Sequence, residues 1–303
     1  MGDLKLFKIA NGVKEIIGTS VAIEKSLQTL IENNMETFFG IKFLVSEYPT
    51  GKNHGGRIDS LGIDENYCPV IMEYKRALNE NVINQGLYYL DWLMDHKAEF
   101  KLLVMEKIGK DVADKIEWSM PRLLCIAGDF TKFDEYAVKQ INRNIELIRY
   151  KKYGDDLILF ELVNATTASQ VTTVSDDGAS KTSNANKTVT ENLKQADKEL
   201  KDLYYSIRDF ILNLGDDIQE KILKHYIAFK KIRNFACVEI YPKSKSILIY
   251  LNINPNEVTL KEGFTRDVTN IGHFGTGNLE IRINSKEDFE KAKELISKSY
   301  YEN

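Results

Sequence analysis

Apolar positions along this chain recur with two periods, and the switches between them outline most of its secondary structure. Over residues 21–39, Leu27, Leu30, Ile31 and Phe38 fall on one helical stripe, with Ser20 placed as an N-cap, so a helix opens the fold. Three short runs of strand composition follow at 41–48, 57–63 and 69–75, separated by Gly-rich or Asp-Glu-Asn turn signals. The last two should close into a hairpin at 64–66. Residues 81–94 read as a helix, PRLLCIAGDF from Pro121 as a buried strand, 134–142 as another helix, and IELIRY with DLILFEL as a closing strand pair.

The periodicity then stops. From about residue 165 to 190 large apolar residues almost vanish and Ser, Thr, Asn, Asp and Ala dominate, the composition of a flexible linker. Three segments result: a domain at 1–165, a linker at 166–190 and a domain at 191–303. The last should open with a long helix at 190–214 and a second at 216–232. Strands FACVEIYP, SILIYLNI and NLEIRIN follow, then a closing helix at 286–300, an α+β pattern.

Composition narrows the class. The 303 residues carry 43% hydrophobic and 28% charged side chains, values of an ordinary globular protein. No apolar run reaches the roughly 18 residues needed to span a bilayer, and the opening segment lacks the core of a signal peptide, which predicts a cytoplasmic protein with no membrane partner. Cys68, Cys125 and Cys237 are odd in number and far apart, so they read as reduced core residues rather than a disulfide frame or zinc site. A net charge of -4 argues against a generic basic nucleic-acid coat, while leaving room for an enzyme with a local basic groove.

Candidate chemistry concentrates in GGRIDSLGIDENYCPVIMEYKR, residues 55–76, where an Asp on one strand precedes Glu-x-Lys on the next. Strand side chains alternate, so Glu73 and Lys75 share a face and Tyr74 points away. A turn at 64–66 brings Asp59 beside Glu73. Two adjacent carboxylates repel unless a cation lies between them, and hard oxygen ligands suit Mg²⁺. Such an ion activates water and stabilises charge on a phosphate, and a neighbouring ammonium can orient that water. A cross-strand charge pair is the alternative for Glu73 and Lys75, but the flanking VIMEYK is too apolar for an exposed edge.

These residues resemble the PD-(D/E)XK nuclease superfamily, most closely its RecB-type and NucS-like branches. The resemblance covers residues 20–165 and implies an α/β restriction-endonuclease-like core, a mixed sheet flanked by helices, ahead of the smaller α+β domain. It places metal ligation on Asp59 and Glu73 and assistance to the nucleophilic water on Lys75. The acidic residue of the family's first helix falls on Glu24, a third ligand candidate, and its Gln-x-x-x-Tyr falls on Gln85 and Tyr89, one helical turn apart. The activity that the resemblance implies is that of a Mg²⁺-dependent endonuclease, with Mn²⁺ substituting, in repair or defence; DNA is favoured as substrate with RNA left open, and many members of the family act as dimers, so a homodimer is one candidate assembly. The alternative is a catalytically silent nucleic-acid-binding or assembly module on the same fold.

Residues 191–303 resemble the domain-of-unknown-function family 5655 through FACVEIYPKSKSILIYLNI and TRDVTNIGHFGTGNLEIRI, a name that conveys no chemistry. Lys224, Lys230, Lys231, Arg233, Lys243 and Lys245 could form a phosphate-contacting patch there, or a solvated face. The run IGHFGTGN lacks the spacing of a dinucleotide fingerprint and reads as a turn.

Overall fold

The computed structural model describes residues 4–19, 25–74, 82–166 and 187–303. The chain divides into two compact units, Met1–Ser169 and Gln170–Asn303, each with its own hydrophobic core. Among the described residues no helix is long and apolar enough to cross a membrane.

In the first unit, strands β1 (Leu6–Lys8) and β2 (Lys14–Ile16) pair with each other, and β3 (Gly18–Thr19) follows. Helices α1 (Lys25–Asn33) and α2 (Met35–Phe39) lead into β4 (Ile41–Pro49), and a single turn, α3 (Gly51–His54), into β5 (Arg57–Asp64) and β6 (Pro69–Tyr74). Then come α4 (Val82–Asp95), α5 (Lys97–Lys107), α6 (Lys110–Ala113), β7 (Arg122–Ala127), α7 (Lys132–Lys139), β8 (Asn144–Tyr153) and β9 (Leu157–Ala165). The sheet is mixed. β4 pairs antiparallel with β5 and β5 with β6; β6, β7 and β8 lie parallel, and β3 and β9 pair antiparallel with β8. Parallel neighbours require crossovers, supplied by α4 to α6 and by α7.

Burial in α4 follows helical spacing, with Val82, Ile83, Gly86, Tyr89, Leu90 and Leu93 turned inward. Gly86 permits the close approach: a Cβ there would lie 2.4 Å from Leu123 Cδ1 on β7. The expected continuous helix at 21–39 is instead broken at Asn34, its first four residues lying outside the described ones. Leu30, expected on the apolar stripe, is 41% exposed, whereas Gln28 is buried. The cause is the polar surface under α1, where Gln28 Nε2 donates to Asp59 O at 3.4 Å. Segment 95–120, which carries no clear period, forms α5 and α6.

A buried ionic triad joins three strands. Arg122 on β7 donates through Nε and Nη2 to both carboxylate oxygens of Glu146 on β8, each at 2.8 Å, and through Nη1 to Asp64 Oδ2 at 2.8 Å. Burial works to lower the Arg122 pKa, but Glu146 and then Asp64 outweigh it and hold the guanidinium charged. Asp64 Oδ1 also accepts the backbone N–H groups of Asn66 and Cys68, both at 2.8 Å, so one carboxylate shapes the β5–β6 turn and ties it to β7.

The second unit contains α8 (Val189–Gln195), α9 (Lys198–Leu212), β10 (Gln219–Ile222), β11 (Ile227–Lys230), β12 (Asn234–Tyr241), β13 (Ser246–Leu251), β14 (Thr265–Asp267), β15 (Leu279–Ile283) and α10 (Lys286–Glu302). Its sheet is antiparallel throughout, in the order β10-β11-β12-β13-β15-β14, with inward residues of α8, α9 and α10 packed on one face. The helix expected at 216–232 is a hairpin. Ile227 and Phe229 of β11 enter the core while the strand pairs on both sides, so the sheet overrides the local helical period. The long helix expected at 190–214 is two, because Ala196 is extended at φ -60° and ψ 142° and Asp197 caps a new start by accepting Leu200 N–H at 2.9 Å.

Residues 271–278 contain no helix and lie against the sheet face away from the helices: the His273 ring stacks on Tyr250 at 4.1 Å, and Thr276 N–H donates to Cys237 Sγ at 3.4 Å. Cys68, Cys125 and Cys237 are all buried thiols.

Candidate active site

The β5–β6 ladder ends at the pair Ser60↔Met72. Beyond it β5 stays paired with β4 out to Arg57, and β6 stays paired with β7 out to Tyr74, so the sheet opens into a fork. Asp59 and Glu73 are the first residues of its two arms. Each closes onto the other strand: Asp59 N–H donates to Glu73 Oε1 at 3.1 Å, and Tyr74 N–H to Asp59 Oδ2 at 3.0 Å. Carboxylates thus take over the acceptor role of the ladder carbonyls that have moved out of reach. Glu73 is 1% exposed, and Asp59 is half-buried.

Helix α4 flanks the β5 arm. Tyr89 Oη accepts Arg57 N–H at 3.2 Å and Gln85 Nε2–H at 3.5 Å, joining the Gln-x-x-x-Tyr pair to the strand that carries Asp59. Gly56 makes room, since a Cβ there would sit 2.6 Å from Tyr89 Oη. The structure therefore brings Asp59 and Glu73 together and attaches Gln85 and Tyr89 to the same strand. Glu24 and Lys75 lie outside the described residues.

Sequence reasoning overlooked the other face of the fork. Ser60 and Tyr74, each one residue from a fork carboxylate, point to the side of α1, where Ser60 Oγ lies 3.3 Å from Tyr74 Oη and donates to Glu32 Oε1 at 2.7 Å. Burial raises the Tyr74 pKa; the Ser60 hydrogen bond opposes this, while Glu32, Asp59 and Glu73 add to it, so the phenol stays protonated. The available signal was the i, i+4 pair Gln28 and Glu32, two polar residues one turn apart beside the apolar Leu27 and Ile31.

Two carboxylates fit a hard divalent ion held in part by water and substrate oxygens. Mg²⁺ typically takes one or two protein carboxylates rather than a full protein cage. Among the described residues no group of three or more His, Cys, Asp or Glu side chains is arranged to hold a metal. Each carboxylate has two oxygens and about four acceptor positions, so a backbone bond does not exhaust either.

Three of the six basic residues that could form a patch in the second unit are buried or bonded within that unit. Lys230 is 1% exposed, Lys231 Nζ donates to Tyr300 O at 2.8 Å, and Lys245 pairs with Asp197 at 2.7 Å.

Residues 189–303 match a family model described as Domain of unknown function (DUF5655). Over nearly its whole length the chain is similar to an uncharacterized protein of Haemophilus influenzae, 31% identical over 304 residues that cover 98% of this chain and 99% of that one. The chain belongs to the family of that protein. The similarity runs through both units. Neither match carries the nuclease resemblance of the first unit, and no solved structure matches the chain.

Proposed function

We propose that the first unit is a Mg²⁺-dependent phosphodiester hydrolase on a restriction-endonuclease-like core, acting on nucleic acid, with DNA favoured. The observation that supports it most is the juxtaposition of Asp59 and Glu73 where the ladder ends. Where the ladder ends, side-chain carboxylates rather than backbone carbonyls meet between the arms, and carboxylate oxygens are the ligands that a hard divalent ion takes. Asp59 and Glu73 would hold the ion, and Gln85 with Tyr89 would fix the β5 arm. Lys75 has the role of orienting the attacking water and offsetting charge on the phosphate, a role carried over from the family resemblance. A bound Mg²⁺ supplies Lewis-acid stabilisation and a more acidic water at the site.

One observation favours a second reading. Both carboxylates accept backbone N–H groups, which gives two acidic residues a structural purpose even in a catalytically silent nucleic-acid-binding or assembly module. Cleavage of single-stranded, duplex and branched DNA, with an RNA control, in Mg²⁺, Mn²⁺ and EDTA separates the two. The expected result is metal-dependent cutting that falls to background in Asp59→Ala, Glu73→Ala and Lys75→Ala. A folded wild type that cuts none of these substrates would favour the silent module.

A further inference from the structure

Behind the fork a single carboxylate oxygen gathers three donors from three elements. Glu32 Oε1 on α1 accepts Gln28 Nε2 at 2.9 Å, Ser46 Oγ of β4 at 2.8 Å and Ser60 Oγ of β5 at 2.7 Å. Ser60 Oγ in turn lies 3.3 Å from Tyr74 Oη of β6, and Gln28 Nε2 reaches Asp59 O at 3.4 Å. Four elements meet at this node. The two strand residues it anchors, Ser60 and Tyr74, are the immediate neighbours of Asp59 and Glu73.

Position matters because the β5–β6 ladder stops there. Within a ladder, backbone pairing fixes the rotation of each residue; past Ser60↔Met72 that restraint between the arms is gone. Alternation places Ser60 and Tyr74 on the opposite face from Asp59 and Glu73, so holding the first pair from behind sets the direction of the second. Apolar residues could pack α1 onto the sheet as well, but a carboxyl oxygen with several donors gives directional bonds that fix the strands' orientation.

We infer that Glu32 is a positioning residue for the Asp59–Glu73 site, acting through Ser60 and Tyr74. The inference rests on reading those two carboxylates as a metal-holding pair.

The test uses the full chain as wild type, Glu32→Ala, Glu32→Gln and Ser60→Ala, with circular dichroism to establish folding. Hydrogen exchange is followed at the Asp59 and Tyr74 amides, the two donors of the fork clasp, and Mn²⁺ binding by titration. Glu32→Ala should speed exchange at those two amides about tenfold more than at Val70, inside the ladder, and weaken Mn²⁺ binding by about 10- to 100-fold, as loss of an orienting partner does. Glu32→Gln keeps an accepting oxygen and should restore most of both. Ser60→Ala should act in the same direction and add little to Glu32→Ala.

Unchanged exchange at both amides in folded Glu32→Ala, or an equal rise at every amide of the first unit, overturns the proposal. If Glu32→Ala does not fold, Ser60→Ala decides by the same exchange criterion. A wild type that binds no Mn²⁺ sinks the metal-site reading instead, and exchange at Asp59 and Tyr74 still decides whether Glu32 holds the clasp.

Discussion

Removing the Arg122 guanidinium would leave Asp64 and Glu146 buried without the cation that they share. Breaking a buried ion network from one side costs about 3–5 kcal/mol, because the remaining charges keep their desolvation penalty. Arg122→Met should therefore destabilise the first unit by that amount, read from its urea midpoint. In the second unit the sensitive residue is Glu239, 3% exposed, whose carboxylate accepts from Tyr241 Oη and from Phe274 N–H. Burial raises its pKa, the bonds from Tyr241 and Phe274 and the charge of His273 oppose, and Glu280 adds to the rise. A raised folded-state pKa means that the folded unit holds the proton more tightly than the unfolded chain does. Glu239 therefore costs stability above its folded pKa, and that cost disappears as pH falls toward the ordinary carboxylate range. Relative to Glu239→Gln, the wild type should be least stable at neutral pH and should recover on mild acidification, as denaturation midpoints across that window would show.

Among the elements, α4 is the most closely fitted. Gly86→Ala would drive a methyl into Leu123, which is fully buried, and overpacking of this kind costs about 1–3 kcal/mol. A denaturant titration of the substituted chain reads it directly. At the start of α10, Ser285 Oγ accepts Asp288 N–H at 3.2 Å, so Ser285→Ala should cost about 1 kcal/mol by the same measurement. Elements whose period agreed with their tertiary setting were legible in the sequence: β4, β5, β6 and α4 lie within two residues of their expected limits among the described residues. β10 and β11 were not, because Ile218, Ile222, Leu223 and Tyr226 also satisfy a helical spacing, and only pairing with β12 selects the strand. The break at Ala196 did carry a local signal, Asp197 placed as a second N-cap, hidden by an apolar period that runs across it. At the fork, Asp59 opposite Glu73 was legible from strand alternation and the turn. The Glu32 node was not, since its strand partners Ser46 and Ser60 lie 14 and 28 residues away in sequence.

At the scale of the whole molecule, the two cores draw on separate stretches of chain, Leu44 to Val163 in one and Val189 to Tyr300 in the other. Gly86→Ala should shift the calorimetric transition of the first unit, and Ser285→Ala that of the second, each with little effect on the other. A single transition displaced equally by both substitutions would show the units to be thermodynamically coupled.

The β5–β6 turn sets a limit of a different kind. Because Asp64 fixes the turn through the backbone N–H groups of Asn66 and Cys68 while held by Arg122, the number of residues between Asp64 and Pro69 is specified more tightly than their identity. A side-chain period of two means that one inserted residue, absorbed as a register shift, would carry Ser60 into the mouth of the fork and turn Asp59 toward α1. Members of this family should then vary more in the letters between those anchors than in their number. A relative with one residue more or fewer there, yet with the fork chemistry intact, would have had to rebuild its pairing with β4 as well.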